Sequence, residues 1–295
     1  MIDAGTEEGA LCLRRTVVDT AAGPVVARVG AATDGGALLL IHGAAGSWRA
    51  WLPILRLAAA QRRPLPQVVA VDLPGWGESP DPVEPLDTAR AAEAVVEVAR
   101  RVGAARWTVV GHSLGGVVAL AIAAREPVAT ERVLLVSPTG PAVLDAIRRP
   151  LRGGLHLPWF AGMLLAMRVL ARFPGGGRPL LRALGRAGVL PRLAAPLFAD
   201  RGATEPGVLH DLGEENRPAA FVGAARSTLR SGALPAVRCA VRSVRGERDV
   251  FVGAGDAAAF ARRQPDFSET VVVGAGHFAL AERPDAVLAA LCDAG

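Results

Sequence analysis

Short, wholly apolar runs alternate along this chain with longer stretches whose apolar residues recur every three or four positions. Residues 11–18 and 24–29 are rich in β-formers and bounded by turn residues, which predicts two antiparallel edge strands. Residues 37–41 and 67–71 are the kind of run that a strand buried on both faces needs, and 107–110 and 132–136 continue the series. Between them, residues 48–60 and 86–102 read as helices, with Gly103 placed to stop the second. Strand alternating with helix predicts a parallel sheet with crossover helices.

The alternation breaks after residue 138. From 139 to 235 strand-like runs vanish, and the chain becomes rich in Leu, Ala, Arg, Gly and Pro with several short helical stretches. It resumes with a strand at 240–244, a helix at 255–263, a strand at 269–273 and a helix at 284–291. The simplest organisation is a sheet domain in two parts, residues 1–138 and 236–295, interrupted by a helical insertion at 139–235.

Composition narrows the chemistry. The 295 residues are 51% hydrophobic and 21% charged, enough for a large core. All 33 basic residues are Arg, Tyr is absent and Asn216 is the only Asn, a pattern that a GC-rich coding sequence produces. Without Lys there is no Schiff-base lysine, no Ser–Lys dyad and no P-loop lysine. The net charge of +5 is unevenly spread, with nine Arg and no acid between Ala146 and Ala199. No nucleic-acid motif accompanies that block. It reads as a solvated surface, as a field steering anionic substrates, or as a peripheral contact with anionic lipid.

Cys12, Cys239 and Cys292 are odd in number and far apart, which suits packing residues in a reducing compartment. The first nine residues carry acids and no signal-like region, and the apolar stretch at 155–167 contains Pro158 and is too short to span a bilayer. The expected location is the cytoplasm, with no integral membrane segment.

One segment organises the chemistry: Gly111-His112-Ser113-Leu114-Gly115, between the apolar run 107–110 and a helical stretch from Val117. A strand–turn–helix with Ser at its tip is the setting of a nucleophile elbow. A serine hydroxyl needs a base, a group to orient that base, and donors for an oxyanion. His277, in Gly276-His277-Phe278 directly after the last strand, is the best-placed base; its bland alternative is a surface-loop histidine. Asp249, a few residues past the preceding strand, is the best-placed acid, with Glu247 and Asp256 as competitors and an Arg ion pair as the bland alternative. The oxyanion donors are the backbone N–H groups of Leu114 and of Ala44 in His42-Gly43-Ala44-Ala45, with Ala45 as the second choice.

With these residues in place, the chain resembles the α/β-hydrolase superfamily. His42-Gly43 is similar to that family's oxyanion loop, and Asp72-Leu73-Pro74-Gly75-Trp76-Gly77-Glu78-Ser79 to its D-x-x-G-x-G-x-S loop. Gly111 to Gly115 matches the elbow, and the order Ser113, Asp249, His277 is the family's order. The resemblance implies an α/β-hydrolase fold: a mostly parallel eight-stranded sheet flanked by helices, with a helical cap inserted after the sixth strand. Ser113 in place of Asp demotes dehalogenases and epoxide hydrolases, and the missing Tyr removes the cap tyrosines of the latter.

The implied function is hydrolysis of a carboxylic ester of a small or medium apolar substrate, with no metal or cofactor. Thioester or carbon–carbon (vinylogous diketone) cleavage by the same triad is the alternative, and a non-hydrolytic accessory protein is the alternative from another class. Trp159, Phe160 and Met163 of the cap, with Phe278, are the candidate substrate-binding residues, although a helix that merely packs accounts for the first three equally well. Sequence does not set the oligomeric state.

Overall fold

The computed structural model describes residues 4–34, 36–82, 87–200, 208, 214–230 and 234–292. After a short helix α1 (Ala4–Ala10), the hairpin β1 (Arg14–Thr20) and β2 (Gly23–Val29) leads into β3 (Ala37–Ile41), α2 (Leu52–Ala60) and β4 (Gln67–Val71). Then follow α3 (Thr88–Arg101), β5 (Trp107–His112), α4 (Leu114–Arg125) and β6 (Thr130–Val136). Helices described next are α5 (Pro141–Arg148), α6 (Pro150–His156), α7 (Pro158–Leu170), α8 (Arg178–Arg186), α9 (Val189–Leu193) and α10 (Pro218–Arg230). The chain closes with β7 (Ala240–Gly246), α11 (Asp256–Arg263), β8 (Phe267–Val272), α12 (Ala279–Glu282) and α13 (Pro284–Cys292). No strand lies between β6 and β7 among the described residues.

The eight strands form one sheet in the order β1-β2-β4-β3-β5-β6-β7-β8. β2 is antiparallel to both β1 and β4, and every other neighbouring pair is parallel. Of the two predicted edge strands only β1 is an edge.

All five residues of β3 and of β4 are buried, as a strand covered on both faces requires. Along β3 the side chains alternate: Leu38 and Leu40 join the core that holds Trp48, Trp51, Ile54 and Val287, while Leu39 and Ile41 join Val95, Val98 and Leu120 on the other side. The second core continues into the insertion through Phe160, Leu164 and Phe221, so the inserted helices share the sheet's own packing.

Local chemistry explains where elements begin. Asp87 caps α3, its carboxylate accepting from the Arg90 N–H at 2.8 Å. The helix read at 48–60 is two pieces, a 3-10 turn Trp48–Trp51 capped by Ser47 and then α2. Pro53 is the reason: it has no N–H to donate, so it fits only in a first turn, and α2 must start beside it. The start of the helix read at 86–102 lies outside the described residues. Cys12 and Cys292 are exposed rather than packed, and Cys239 is half-buried. No helix is long and apolar enough to cross a membrane among the described residues.

Register then builds the site. Ile41 pairs with Val71 and Gly111, His112 with Val136, Val136 with Val244, and Gly246 with Val272. The carboxyl ends of β3 to β8 therefore lie along one edge, and the loops carrying Ala44, Ser113, Asp249 and His277 all leave from it.

Candidate active site

Ser113 stands between the last residue of β5 and the first of α4 at φ +50°, ψ −117°. A non-glycine residue in that region is strained and persists only where its surroundings dictate it. Three backbone bonds do so here. The Ser113 N–H donates to Val136 O at 3.0 Å, and its carbonyl accepts from Gly116 N–H at 3.0 Å and Thr139 N–H at 3.1 Å. The turn closes because Gly111 and Gly115 carry no side chain. A Cβ on Gly111 would lie 2.3 Å from Gly115 O, and one on Gly115 would lie 2.3 Å from Ile41 O.

His277 and Asp249 meet at the next two loops. Nδ1 of His277 is 3.0 Å from each carboxylate oxygen of Asp249, which also accepts from Phe251 N–H at 2.9 Å. Burial pushes the Asp249 carboxyl up, but the charge and hydrogen bond of His277, with Phe251 N–H and the Ser137 hydroxyl, outweigh it and hold the acid below its ordinary range. Only a donor belongs between a ring nitrogen and a carboxylate, so Nδ1 carries the proton and, in the neutral ring, Nε2 is a bare lone pair. The Phe251 ring meets the imidazole edge-on with centroids 4.7 Å apart. The competing acids lie elsewhere: Glu247 is exposed, and Asp256 accepts from Ala142 and Gly253 N–H groups.

The remaining wall comes from the loop after β3. His42 is fully buried and spans two loops, with Nε2 accepting from Leu73 N–H at 3.0 Å and Nδ1 donating to Gly43 O at 2.7 Å. Burial drives its pKa down to about 4, so it is a neutral spacer. Asp72 fastens the same loops by accepting from Trp48 N–H at 2.7 Å and Glu78 N–H at 2.9 Å. Its carboxyl is raised to about 6 by burial, against the pull of those donors and of Arg28. His112, lowered to about 3 by burial and the neighbouring His277, donates from Nε2 to His277 O at 3.1 Å. Among the described residues, the Ala44 and Leu114 N–H groups donate to no protein acceptor.

Ser113, His277, Ala44 and Leu114 all face one cavity of about 630 Å³. Trp159, Phe160, Met163 and Phe278 line it as well, together with residues that sequence did not single out, such as Phe221 and Thr228 of α10. Among the described residues, its polar side chains are His112, Ser113, Thr139, Trp159 (through its indole N–H), Asn216, Thr228 and His277, and no Arg, Asp or Glu lines it. Among the described residues, a steering field therefore has no cationic counterpart inside the cavity.

Glu282, buried in α12, was also missed. One of its oxygens accepts from Ala199 N–H at 2.7 Å and Asp200 N–H at 2.8 Å, and the other from Gly276 N–H at 2.7 Å. The His277 N–H donates to Leu197 O at 2.8 Å, so residues 197–200 of the insertion are tied to the histidine loop and α12 by three hydrogen bonds. Gly276 is correspondingly tight, since a Cβ there would lie 2.5 Å from Leu197 O. The one available signal was a lone acid in the apolar run after His277.

Comparison with known proteins places this architecture. The chain is 34% identical over 103 residues to a dihydrolipoyllysine-residue acetyltransferase component of the acetoin cleaving system from Pseudomonas putida, a match covering 35% of this chain and 27% of that protein. It thus spans about a quarter of that relative's length. Among solved structures, the epoxide hydrolase CorEH superposes with TM-score 0.72 at 20% identity, covering 95% of this chain and 97% of that one. A thermophilic esterase from Thermogutta terrifontis superposes with TM-score 0.66 at 20% identity, covering 94% and 96%. Those two likenesses carry the fold alone. The model of the alpha/beta hydrolase family matches residues 38–290, which take in six of the eight strands and all of the insertion. With that match, the sheet order and the helices on both faces, the chain belongs to the α/β-hydrolase family.

Proposed function

We propose that the protein is a serine hydrolase that cleaves a carboxylic ester with an apolar acyl or alcohol part. The observation that carries this reading is the pairing of two features on one cavity wall: a serine held at φ +50°, and an imidazole whose Nδ1–H is fixed by a buried carboxylate. In this reading the insertion is a cap, residues 139–235, over a core formed by 1–138 and 236–295.

The chemistry runs through these groups alone. Nε2 of His277 takes the Ser113 proton as Oγ attacks the ester carbonyl carbon, and Asp249 stabilises the resulting imidazolium. The Ala44 and Leu114 N–H groups hold the tetrahedral oxyanion. His277 returns the proton to the departing alkoxide, leaving an acyl-enzyme on Ser113. A water molecule, deprotonated by the same imidazole, then releases the acid and restores the serine. A cavity of about 630 Å³ lies within the range of about 300–1,000 Å³ usual for small-molecule sites. Its apolar wall rewards burial of hydrocarbon and, among the described residues, offers no cation to a carboxylate.

A fluorophosphonate probe with a panel of p-nitrophenyl esters, thioesters and vinylogous diketones tests the reading. Ser113 is expected to label, Ser113→Ala is not, and apolar esters are expected to turn over fastest. Preference for a thioester or a diketone would keep the triad and change the reaction. Folded protein that neither labels nor hydrolyses any member of the panel would favour an accessory role.

A further inference from the structure

The water-facing side of α7 is apolar. Trp159, Leu165 and Val169 are 54%, 62% and 45% exposed, while Phe160, Leu164 and Met167 of the same helix are buried. A helix apolar all round calls for a second covering on its outer face. Leu151 and Leu155 of α6 and Leu193 of α9 are exposed as well. Among the described residues, nine of the thirteen exposed large hydrophobics fall between Leu151 and Leu193.

This surface is interleaved with cations. The nine Arg between 146 and 199 occur without one acid, where the chain's average of 28 acids in 295 residues would place about five. Coding bias accounts for Arg replacing Lys, but not for the missing acids. Asp145 approaches Arg149 and Arg152, and Glu214 pairs with Arg182. Arg148, Arg168, Arg172, Arg186 and Arg192 have no acidic partner among the described residues. Trp159, Val169 and Leu193 are both exposed and part of the cavity wall, so the cavity of Ser113 opens onto this same face. Arg168 and Arg172 line an adjoining groove that shares Leu114, Ala224 and Thr228 with that cavity.

We propose that the outer face of the cap docks on an anionic lipid bilayer. Leu151, Leu155, Trp159 and Leu165 enter the boundary of the acyl region and the arginines contact headgroup phosphates. A lipid acyl chain then passes over the Trp159–Val169–Leu193 rim into the cavity; this second half rests on the ester-hydrolase reading. A second copy of the chain fits the face less well, because a two-fold contact would set arginines against arginines. A soluble polyanion would leave the leucines in water.

Flotation of the Ser113→Ala protein with vesicles tests the docking without hydrolysis. Binding to vesicles with about 30 mol% phosphatidylglycerol is expected to exceed binding to pure phosphatidylcholine at least tenfold, and to collapse in about 0.5 M salt. Leu151→Glu, Leu155→Glu and Leu165→Glu combined should cut binding at least tenfold, while the same three changes in the wild-type background leave p-nitrophenyl butyrate hydrolysis unchanged. Reversing Arg148, Arg172 or Arg186 to Glu should cost about fivefold or more each. Equal binding to neutral vesicles, no binding, or indifference to the leucine changes would overturn the proposal. So would a dimer that the leucine changes disperse while vesicles are ignored. Vesicle binding by a protein that hydrolyses no ester would keep the docking surface and remove the hydrolase reading; ester hydrolysis without vesicle binding would do the reverse.

Discussion

Ser113 occupies a backbone conformation that its type avoids, and its three backbone hydrogen bonds keep it there whether or not substrate is present. The same pre-set order governs the imidazole, because Asp249 fixes both its ring direction and its tautomer. Asp249→Asn keeps the shape but not the chemistry. An amide can offer its oxygen to Nδ1–H, yet it carries no charge for the imidazolium, and its NH2 group can instead favour the tautomer with the proton on Nε2. Turnover of p-nitrophenyl butyrate is expected to fall by about three to four orders of magnitude with the melting temperature little changed. A loss below tenfold would mean that another acid does this work.

Elements were legible where burial alone shapes them. The runs at 37–41 and 67–71 became strands with those bounds, because a strand covered on both faces buries every position, Gln67 at the start of the second included. Legibility fell where partners distant in sequence decide. β8 begins at Phe267, two residues before the read start, because it pairs there with Val241 of β7. α12 was missed because its four residues make too little of a helical turn to show a period. Glu282 on that helix joins the two halves of the site, and no local pattern announces three backbone donors arriving from residues 199, 200 and 276. Glu282→Ala would strand all three, a cost of about 3 kcal/mol or more, and would loosen the loop that aims His277. Both a lower melting temperature and a roughly tenfold lower kcat are expected. Glu282→Gln should recover part of each, since its single oxygen still serves Ala199 and Asp200 while its NH2 faces Gly276 N–H. Lowered stability with unchanged kcat would show that the clamp supports the fold alone.

At the scale of the whole molecule, the buried groups behind the site tie its stability to pH. His42 and His112 are kept neutral by burial, with pKa values down at about 4 and about 3, against about 6.5 for a free imidazole. Their contribution is complete above pH 6.5 and is lost as pH falls, because the unfolded chain takes up a proton at each ring that the folded chain refuses. Asp72 works in the opposite sense. Raised to about 6 by burial, it favours the folded state below its unfolded pKa and loses that contribution as pH rises through 6. Asp256, raised by burial, adds weakly to Asp72; Glu78, where Arg15 and Arg28 outweigh burial, weakly opposes it. Around pH 5 two imidazoles against one carboxylate leave a net uptake of about one proton on unfolding, a slope of about 1.4 kcal/mol per pH unit. The melting temperature should therefore drop by roughly 3 °C per pH unit between about pH 6 and pH 4.5. His42→Asn, whose amide can still accept from Leu73 N–H, removes one imidazole and should flatten the slope. Asp72→Asn removes the opposing carboxylate and should steepen it towards two protons. A melting temperature that rises on acidification in the unmodified protein would mean that Asp72 outweighs both histidines, and that the loops of the site are held together by a protonated carboxyl instead of neutral rings.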